Sequence, residues 1–393
     1  MTMRRIVVVG NGIAGLTACD ALRSAGFDGE LTIVGAERHH PYSRPALSKA
    51  LLHDRADPTG HVLPAPTHGA DELLGVGAAG LDVERRLVHL DGGDSIPYDG
   101  LVIASGSRAR RFGDGSASAG RAVQLTLRTI EDALELRRRI RAAPAVVVVG
   151  GGALGMEVAS GCLAAGCEVT LVSDGPPLTR QVGSHLSAIF VAAAREAGLR
   201  IRTAGKARVA EVDGAARVVL DDGTIDAELV VAAVGDRPNT EWLEGSGLLV
   251  DGALRVDSRG RVRRDIVAAG DVTSFPTRQG LRRVPLWTSA IDQAKSAAAG
   301  LLRGDDAAEL DFEPYFWTEA FGLSLKSVGE LPRAARPDFE RLDPGGRGRL
   351  MSWNGGGAPG AAAAIDVRIP VPKLRRLARI GPSALQPSSP VPA

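Results

Sequence analysis

Two short glycine runs carry the most direct chemistry in this sequence. Gly10-Asn11-Gly12-Ile13-Ala14-Gly15 follows the apolar stretch Arg5-Ile6-Val7-Val8-Val9, and Gly150-Gly151-Gly152-Ala153-Leu154-Gly155 follows Ala145-Val146-Val147-Val148-Val149. Each is a GxGxxG between a buried-strand pattern and a helix-like stretch. In that setting the glycines permit a tight turn and let backbone N–H groups approach a pyrophosphate, while the helix N-terminus adds a favourable dipole. One such run says little. Two, each in strand–turn–helix context, imply two bound dinucleotides and electrons passing between them.

A dinucleotide site of this kind also wants an acid about 20 positions past the glycines, for a ribose hydroxyl. Glu37 meets that need after the first run. After the second, the strand pattern ends at Val172 and Asp174 stands one place later than preferred. A carboxylate there still reaches a ribose hydroxyl and repels a 2′-phosphate, which tilts the nicotinamide cofactor toward NADH. NADPH stays open, because Arg180 can accept a phosphate if its loop folds back.

The elements that must position these residues follow from periodicity. Residues 6–9, 30–34 and 101–104 read as parallel strands with a helix at 15–24, and residues 145–149, 168–172 and 229–234 repeat the pattern with helices at 155–165 and around 185–197. Residues 129–141 form an amphipathic connector with Glu131 and Asp132 in its first turn and Arg137, Arg138, Arg139 and Arg141 in its last, a charge order suited to the helix dipole. A strand pattern ending in Ala269-Gly270-Asp271 and a helical pattern at 289–302 return to the first sheet. From Asp311 the character changes, with Phe312, Tyr315, Phe316, Trp317 and Phe321 clustered and Gly-rich turns at 345–348 and 355–360. The fold class is therefore α/β, with two Rossmann-like dinucleotide-binding domains and a small α+β C-terminal domain.

Composition narrows the function classes. The 393 residues are 44% hydrophobic with a formal net charge of +1, so nothing global favours nucleic acid or an anionic membrane. No apolar run reaches the ~18 residues of a membrane span. The N-terminal residues read as the first strand and not as a signal peptide. Three cysteines, Cys19, Cys162 and Cys167, are too few for a secreted disulfide scaffold and suit a reducing cytoplasm. The seven histidines lack paired ligand spacing, so no metal site is expected.

The stretches Tyr42-Ser43-Arg44-Pro45-Ala46-Leu47-Ser48-Lys49, Leu101-Val102-Ile103-Ala104-Ser105-Gly106, Leu127-Arg128-Thr129-Ile130-Glu131-Asp132-Ala133 and Ala268-Ala269-Gly270-Asp271 resemble the FAD-dependent ferredoxin reductases of bacterial oxygenase and cytochrome P450 systems. The resemblance runs from residue 4 to about residue 330. It implies a glutathione-reductase-like arrangement: residues 1–108 and 237–310 binding FAD, 109–236 binding NAD, 311–380 forming an interface domain and 381–393 a disordered tail. It further implies that Lys49 lies near the flavin N5, where a cation stabilises the reduced ring's negative charge. Glu157, on the first turn of its helix, would sit near the nicotinamide and pair with Lys49, and Trp317 would contribute an aromatic near the flavin. These three are the catalytic candidates.

The same resemblance assigns Gly10, Gly12, Ala14, Gly15, Glu37, Arg44, Lys49, Ala78, Arg128, Asp271 and Trp287 to FAD. Gly150, Gly152, Leu154, Gly155, Glu157, Asp174 and Gly235 go to the nicotinamide dinucleotide. Two departures from the family pattern, Ser105 in place of threonine and Ala36 in place of an acid, bear only on adenosine contacts. Cys162 and Cys167 have the spacing of a redox-active pair but follow the wrong glycine run, and residues 42–49 contain no cysteine. They read as packing residues. Without a thiol relay, electrons must pass from flavin directly to a partner. The partner implied is an iron–sulfur ferredoxin serving a P450 or Rieske oxygenase, with arginine clusters at 108–111, 137–141, 282–283 and 375–379 as candidate steering charge. The alternatives are a rubredoxin or quinone-like acceptor or, outside enzymes, a signalling or nucleic-acid-binding flavoprotein. Monomer and homodimer both remain open.

Overall fold

The computed structural model describes residues 3–49, 52, 58–112, 124–142, 145–212, 215–356 and 360–385. They fall into two compact units. One comprises Met1–Ser43, Pro58–Arg108 and Asp236–Phe312, the other Arg44–Asp57, Ala109–Gly235 and Glu313–Ala393.

The first unit is organised by a five-stranded parallel sheet, in the order Ile266–Ala268, Gly100–Ile103, Arg5–Val9, Glu30–Gly35, Asp71–Leu74. Strand alternation sends Ile6 and Val8 to one face and Val7 and Val9 to the other, and all four are buried. A parallel sheet of Val and Ile covered on both faces is what such a pattern dictates. On one face Ile6, Val8, Ile33 and Val102 meet Cys19 and Leu22 of the helix Ile13–Ser24 and Ala294 and Ala298 of the helix Trp287–Arg303. On the other, Val7, Leu101, Ile103 and Ile266 meet Tyr98, Trp242, Phe275 and Phe312. Each such side chain taken from water contributes about 1.5–3 kcal/mol.

The second unit repeats the design around a sheet ordered Arg200–Thr203, Glu168–Ser173, Ala145–Val149, Leu229–Ala232, Gln124–Leu125, again all parallel. Even the register repeats. Arg5 stands beside Glu30 and Ile6 beside Gly100; Ala145 stands beside Glu168 and Val146 beside Leu229. Each sheet also carries a three-stranded antiparallel attachment, Ala78–Asp82 with Leu87–Leu90 and Ser95–Pro97 in one, Ala207–Val212 with Ala215–Leu220 and Gly223–Ala227 in the other. Neither these nor the strands Asp71–Leu74 and Arg200–Thr203 had a clear period-2 signal in the sequence.

The connector helix spans Ile130–Ile140 and starts in a capping box: Thr129 Oγ1 accepts from the Asp132 N–H (3.2 Å) while Asp132 Oδ2 accepts from the Thr129 N–H (3.1 Å). The helix expected around residues 185–197 begins earlier, at Thr179, and breaks at Gly183, whose φ is +77°. A Cβ there would lie 2.2 Å from the Pro332 carbonyl oxygen, and the Ser184 N–H donates to the Arg333 carbonyl (2.8 Å). A long-range loop contact thus decides a local feature.

Residues 313–385 belong to this same unit. Five antiparallel strands run in the order Tyr315–Ala320, Leu323–Val328, Ala361–Ile365, Arg349–Trp353, Phe339–Leu342. The helix Val371–Ile380 seals one face through Leu374, Leu377 and Ala378 against Val328, Leu350 and Ala364. Composition marked residues 381–393 as a disordered tail, but its first residues are ordered. Gly381–Leu385 forms a 3-10 turn with Gly381 and Ala384 buried, because these small residues fit under the helix; the remainder of the tail lies outside the described residues. No helix among the described residues is long and apolar enough to cross a membrane.

The glycines that set these turns differ in what a side chain would meet. A Cβ at Gly15 would sit 1.8 Å from the Gly10 carbonyl oxygen, whereas one at Gly26, φ +93°, meets nothing within 4 Å. We expect Gly15→Ala to cost about 3 kcal/mol or more through overpacking against backbone, and Gly26→Ala only ~1–2 kcal/mol of left-handed strain. Thermal unfolding of the two variants checks the order; equal shifts in Tm would refute the steric account.

Candidate dinucleotide sites and a buried ion pair

The two glycine runs adopt one geometry. Gly10 has φ +117° and Gly150 +120°, and a Cβ on either would lie 2.1 Å from a carbonyl oxygen of the neighbouring strand end, that of Ala104 or Ala233. Gly15 and Gly155 are each pressed against the carbonyl of the run's first glycine at the same hypothetical 1.8 Å. The first and last glycines are therefore fixed by backbone packing. The middle ones are not. Nothing lies within 4 Å of a Cβ at Gly12, and at Gly152 the nearest atom is Gln181 Nε2 at 3.4 Å.

Both middle glycines are helix N-caps without a side-chain cap, and neither helix has an acid in its first turn. Unpaired N–H groups and the positive end of the dipole thus face open space, the arrangement that accepts a pyrophosphate. Around the first run, the buried Asn11 Nδ2 and Gln293 Nε2 find no acceptor among the described residues, which suits a ligand rich in acceptor oxygens. The residues present fit a dinucleotide at each place.

Glu37 follows the strand Glu30–Gly35 and accepts a hydrogen bond from Tyr42 Oη (2.6 Å), which orients its half-buried carboxylate. Asp174 follows the strand Glu168–Ser173, stands exposed, and is ion-paired with Arg180. The Arg180 guanidinium, considered as a phosphate acceptor from the sequence, is instead held on the acid.

Asp271 belongs with the first glycine run. Gly270, φ +83°, lies so close to Ala14 that a Cβ would approach Ala14 Cβ to 3.0 Å, and its N–H donates to Gln293 Oε1 (2.9 Å). Ser107 and Arg283 both brace Asp271. Ser107 Oγ donates to its Oδ2 (3.4 Å), and Arg283 Nε donates to its carbonyl (2.8 Å) while pairing with Asp236. Trp287 opens the helix Trp287–Arg303, half-buried, and Ala78 opens the strand Ala78–Asp82 against the core. Of the residues expected around FAD, Gly10, Gly12, Ala14, Gly15, Glu37, Ala78, Asp271 and Trp287 share the first unit. Arg44, Lys49 and Arg128 lie in the second, where Arg44 Nη1 donates to the Arg128 carbonyl (2.8 Å).

Within the second unit Lys49 and Glu157 meet directly, Nζ to Oε1 at 2.8 Å. Glu157 falls on the second turn of Ala153–Ala164 and not the first, because the helix starts two residues before Gly155. Its side chain is only 6% exposed and that of Lys49 16%. Burying a carboxylate is costly unless its lone pairs are satisfied. Two hydroxyls meet that need: Thr318 Oγ1 donates to Oε1 (2.6 Å), and Ser48 Oγ donates to Oε2. Neither hydroxyl emerged from the sequence. Ser48 sat inside a stretch already singled out, but nothing local indicates that Thr318 meets a helix so far away in the chain.

Trp317 precedes Thr318 on the strand Tyr315–Ala320, so alternation points it to the other face of the sheet, where it stacks on Tyr315 at 5.7 Å between ring centroids. Leu154 is half-buried at the start of its helix, and Gly235, φ +94°, accepts the Arg110 N–H (3.0 Å). The three cysteines are free and buried. Burial pushes the Cys19 and Cys162 thiols up to about 12 and raises Cys167 as well, so none forms a reactive thiolate at neutral pH.

The open middle glycines separate binding from folding. Gly12→Ala and Gly152→Ala should fold with near-native Tm. Each should weaken one dinucleotide about ten- to a hundredfold, through lost charge-assisted contacts. Flavin content checks the first and the pyridine-nucleotide KM the second; a drop in Tm with binding intact would contradict the assignment.

The family model of the pyridine nucleotide-disulphide oxidoreductases matches residues 4–294. The chain is 36% identical to the ferredoxin–NAD(+) reductase component of the anthranilate 1,2-dioxygenase system of Burkholderia cepacia, over 97% of this chain and 95% of that one. It is 33% identical to putidaredoxin reductase of Pseudomonas putida, over 82% of this chain and 80% of the relative. Among solved structures, the covalent putidaredoxin reductase–putidaredoxin complex matches with a TM-score of 0.84 at 28% identity, covering 95% of this chain and 92% of the other. With two fingerprints of one geometry on two parallel sheets, the chain belongs to the pyridine nucleotide-disulphide oxidoreductase family, whose members bind FAD and a pyridine nucleotide.

Proposed function

We propose that this protein is an NADH-dependent ferredoxin reductase: it takes a hydride from NADH and passes electrons to an iron–sulfur ferredoxin that serves a Rieske or P450 oxygenase. The observation that carries the reading is the buried Lys49–Glu157 pair, in a chain similar along nearly its whole length to a dioxygenase-system reductase. In this reading residues 1–108 and 237–310 serve FAD, 109–236 serve NADH, and 311–380 face the electron acceptor. Three free, buried cysteines support a cytoplasmic setting.

Bound FAD accepts two electrons as a hydride and can release them singly, which a one-electron iron–sulfur acceptor requires. The chain's own residues bind and orient. Gly12 and Gly152 leave backbone N–H groups that would take the two pyrophosphates, Glu37 would take a ribose hydroxyl, and Asp271, braced by Ser107 and Arg283, would anchor the ribityl–phosphate portion. Ala14, Ala78 and Trp287 would line the flavin site from the first unit, and Arg44 and Arg128 are the contributions expected of the second. Lys49 would bring its ammonium to the flavin N5, and Glu157 would hold that ammonium in place through their ion pair. Trp317 points to the opposite face of its strand from Thr318 and stacks on Tyr315, so its expected aromatic contribution would come from outside the Glu157 cluster. Leu154 and Gly235 line the nicotinamide site.

The preference for NADH rests on Asp174. Its carboxylate repels a 2′-phosphate, and its ion pair with Arg180 occupies the nearby guanidinium.

Two outcomes test these readings. Purified protein should be yellow, bleach with NADH under anaerobic conditions, and reduce cytochrome c rapidly only when a ferredoxin is added; a colourless protein that FAD cannot reconstitute would sink the assignment. Asp174→Ala should raise the KM for NADH about tenfold and lower that for NADPH as Arg180 is released. An unchanged ratio of kcat/KM for the two nucleotides would remove Asp174 from cofactor selection.

A further inference from the structure

The Glu157 carboxylate is gripped from two distant stretches of chain. Oε1 takes the Lys49 ammonium at 2.8 Å and the Thr318 hydroxyl at 2.6 Å, and Oε2 takes the Ser48 hydroxyl. Terminal torsions of glutamate are broad and roughly two-fold, so a lone lysine partner would leave the carboxylate plane free to swing. Donors on both oxygens, from different directions, remove that freedom. The ammonium follows the carboxylate. Its other acceptor among the described residues is the Pro45 carbonyl, at a longer 3.4 Å.

Neither hydroxyl is needed to assemble the segments it comes from. The strand Tyr315–Ala320 is joined to the Glu157 helix a second time, where the Phe321 N–H donates to Ser160 Oγ (2.8 Å) one helical turn on. The Ser48 segment is joined by Leu52, which lies against Gly161; a Cβ there would be 3.3 Å from Leu52 side-chain carbons. Within the segment, the Lys49 N–H donates to the Ala46 carbonyl (3.2 Å), a turn that brings neighbouring Ser48 and Lys49 to one carboxylate. Packing and backbone bonds therefore dock both pieces. What the hydroxyls add is the orientation of one carboxylate.

We propose that Ser48 and Thr318 are positioning residues for the Glu157–Lys49 pair: their hydroxyls fix the carboxylate plane, so that the Lys49 ammonium is held at one place. This rests on the reading of Lys49 as the cation that stabilises reduced flavin. A wandering ammonium would stabilise that charge less. The flavin would then be harder to reduce, while the pyrophosphate sites at Gly12 and Gly152, which do not use this pair, would be untouched.

The test compares Ser48→Ala, Thr318→Val, Thr318→Ser and, as reference, Lys49→Gln in the flavin-loaded full chain. Thr318→Val and Ser48→Ala should each slow single-turnover flavin reduction by NADH about tenfold, the worth of one hydrogen bond to a charged group. Both should lower the flavin midpoint potential in the same sense as Lys49→Gln. The flavin content should stay unchanged, the Tm of the flavin-free chain should fall only by what one lost buried hydrogen bond costs, and Thr318→Ser should restore rate, potential and Tm. If Lys49→Gln shifts the potential and the hydroxyl variants do not, the positioning role is overturned and the parent reading survives. If Lys49→Gln itself shifts neither rate nor potential, the parent reading falls. Loss of flavin content together with rate, with the potential unmoved and no rescue by Thr318→Ser, would reduce the hydroxyls to structural bonds and overturn the proposal.

Discussion

Backbone presses on backbone at Gly15 and Gly155, and the rest of each unit is arranged around that contact. No side chain larger than hydrogen fits between these glycines and the carbonyls of Gly10 and Gly150, so each helix starts hard against the end of its central strand. The strand ends are themselves tied across the sheet: the Gly10 N–H donates to Val34 and the Gly150 N–H to Val172, while the Ala104 and Ala233 N–H groups donate to Val9 and Val149. With the outer glycines committed to packing, the middle glycine alone faces open space. A steric constraint inside the protein thereby creates the polar, uncapped surface that a phosphate needs.

The same economy governs the charged centre of the second unit. A carboxylate inside a protein must be compensated from several directions or it destabilises the fold. Glu157 is compensated by a cation and two hydroxyls drawn from chain segments far apart in sequence. Those segments are docked by ordinary means, Leu52 against Gly161 and Phe321 to Ser160. Stability and chemistry are thus partly decoupled, since apolar and backbone contacts assemble the site while polar side chains tune it.

Asp271 and Glu37 show the pattern in the first unit. Each acid is braced by neighbours, Asp271 by Ser107 and Arg283 and Glu37 by Tyr42. Arg283 also reaches Asp236, at the point where the chain re-enters this unit, so one guanidinium braces the acid's backbone and the returning strand together.

Much of this was legible in the sequence because it is written locally. Two Val-rich strands followed by GxGxxG specify strand, turn and helix within a dozen residues, and the charge order of residues 129–141 specifies a capped helix. The likeness of Tyr42 to Lys49 and of Ala268 to Asp271 to a known family pointed to Lys49 and Asp271. What stayed hidden depends on contacts between residues far apart in the chain. The break at Gly183 answers to the Pro332 carbonyl, the edge strands Asp71–Leu74 and Arg200–Thr203 exist because a parallel neighbour offers them hydrogen bonds, and Thr318 becomes a ligand of Glu157 only once a late strand lies along an earlier helix. Sequence alone determined which residues could bind a phosphate or carry charge, because backbone freedom and side-chain chemistry are local properties. Only the tertiary structure decided which hydroxyl meets which carboxylate, because hydrogen bonds of about 3 Å are settled by packing.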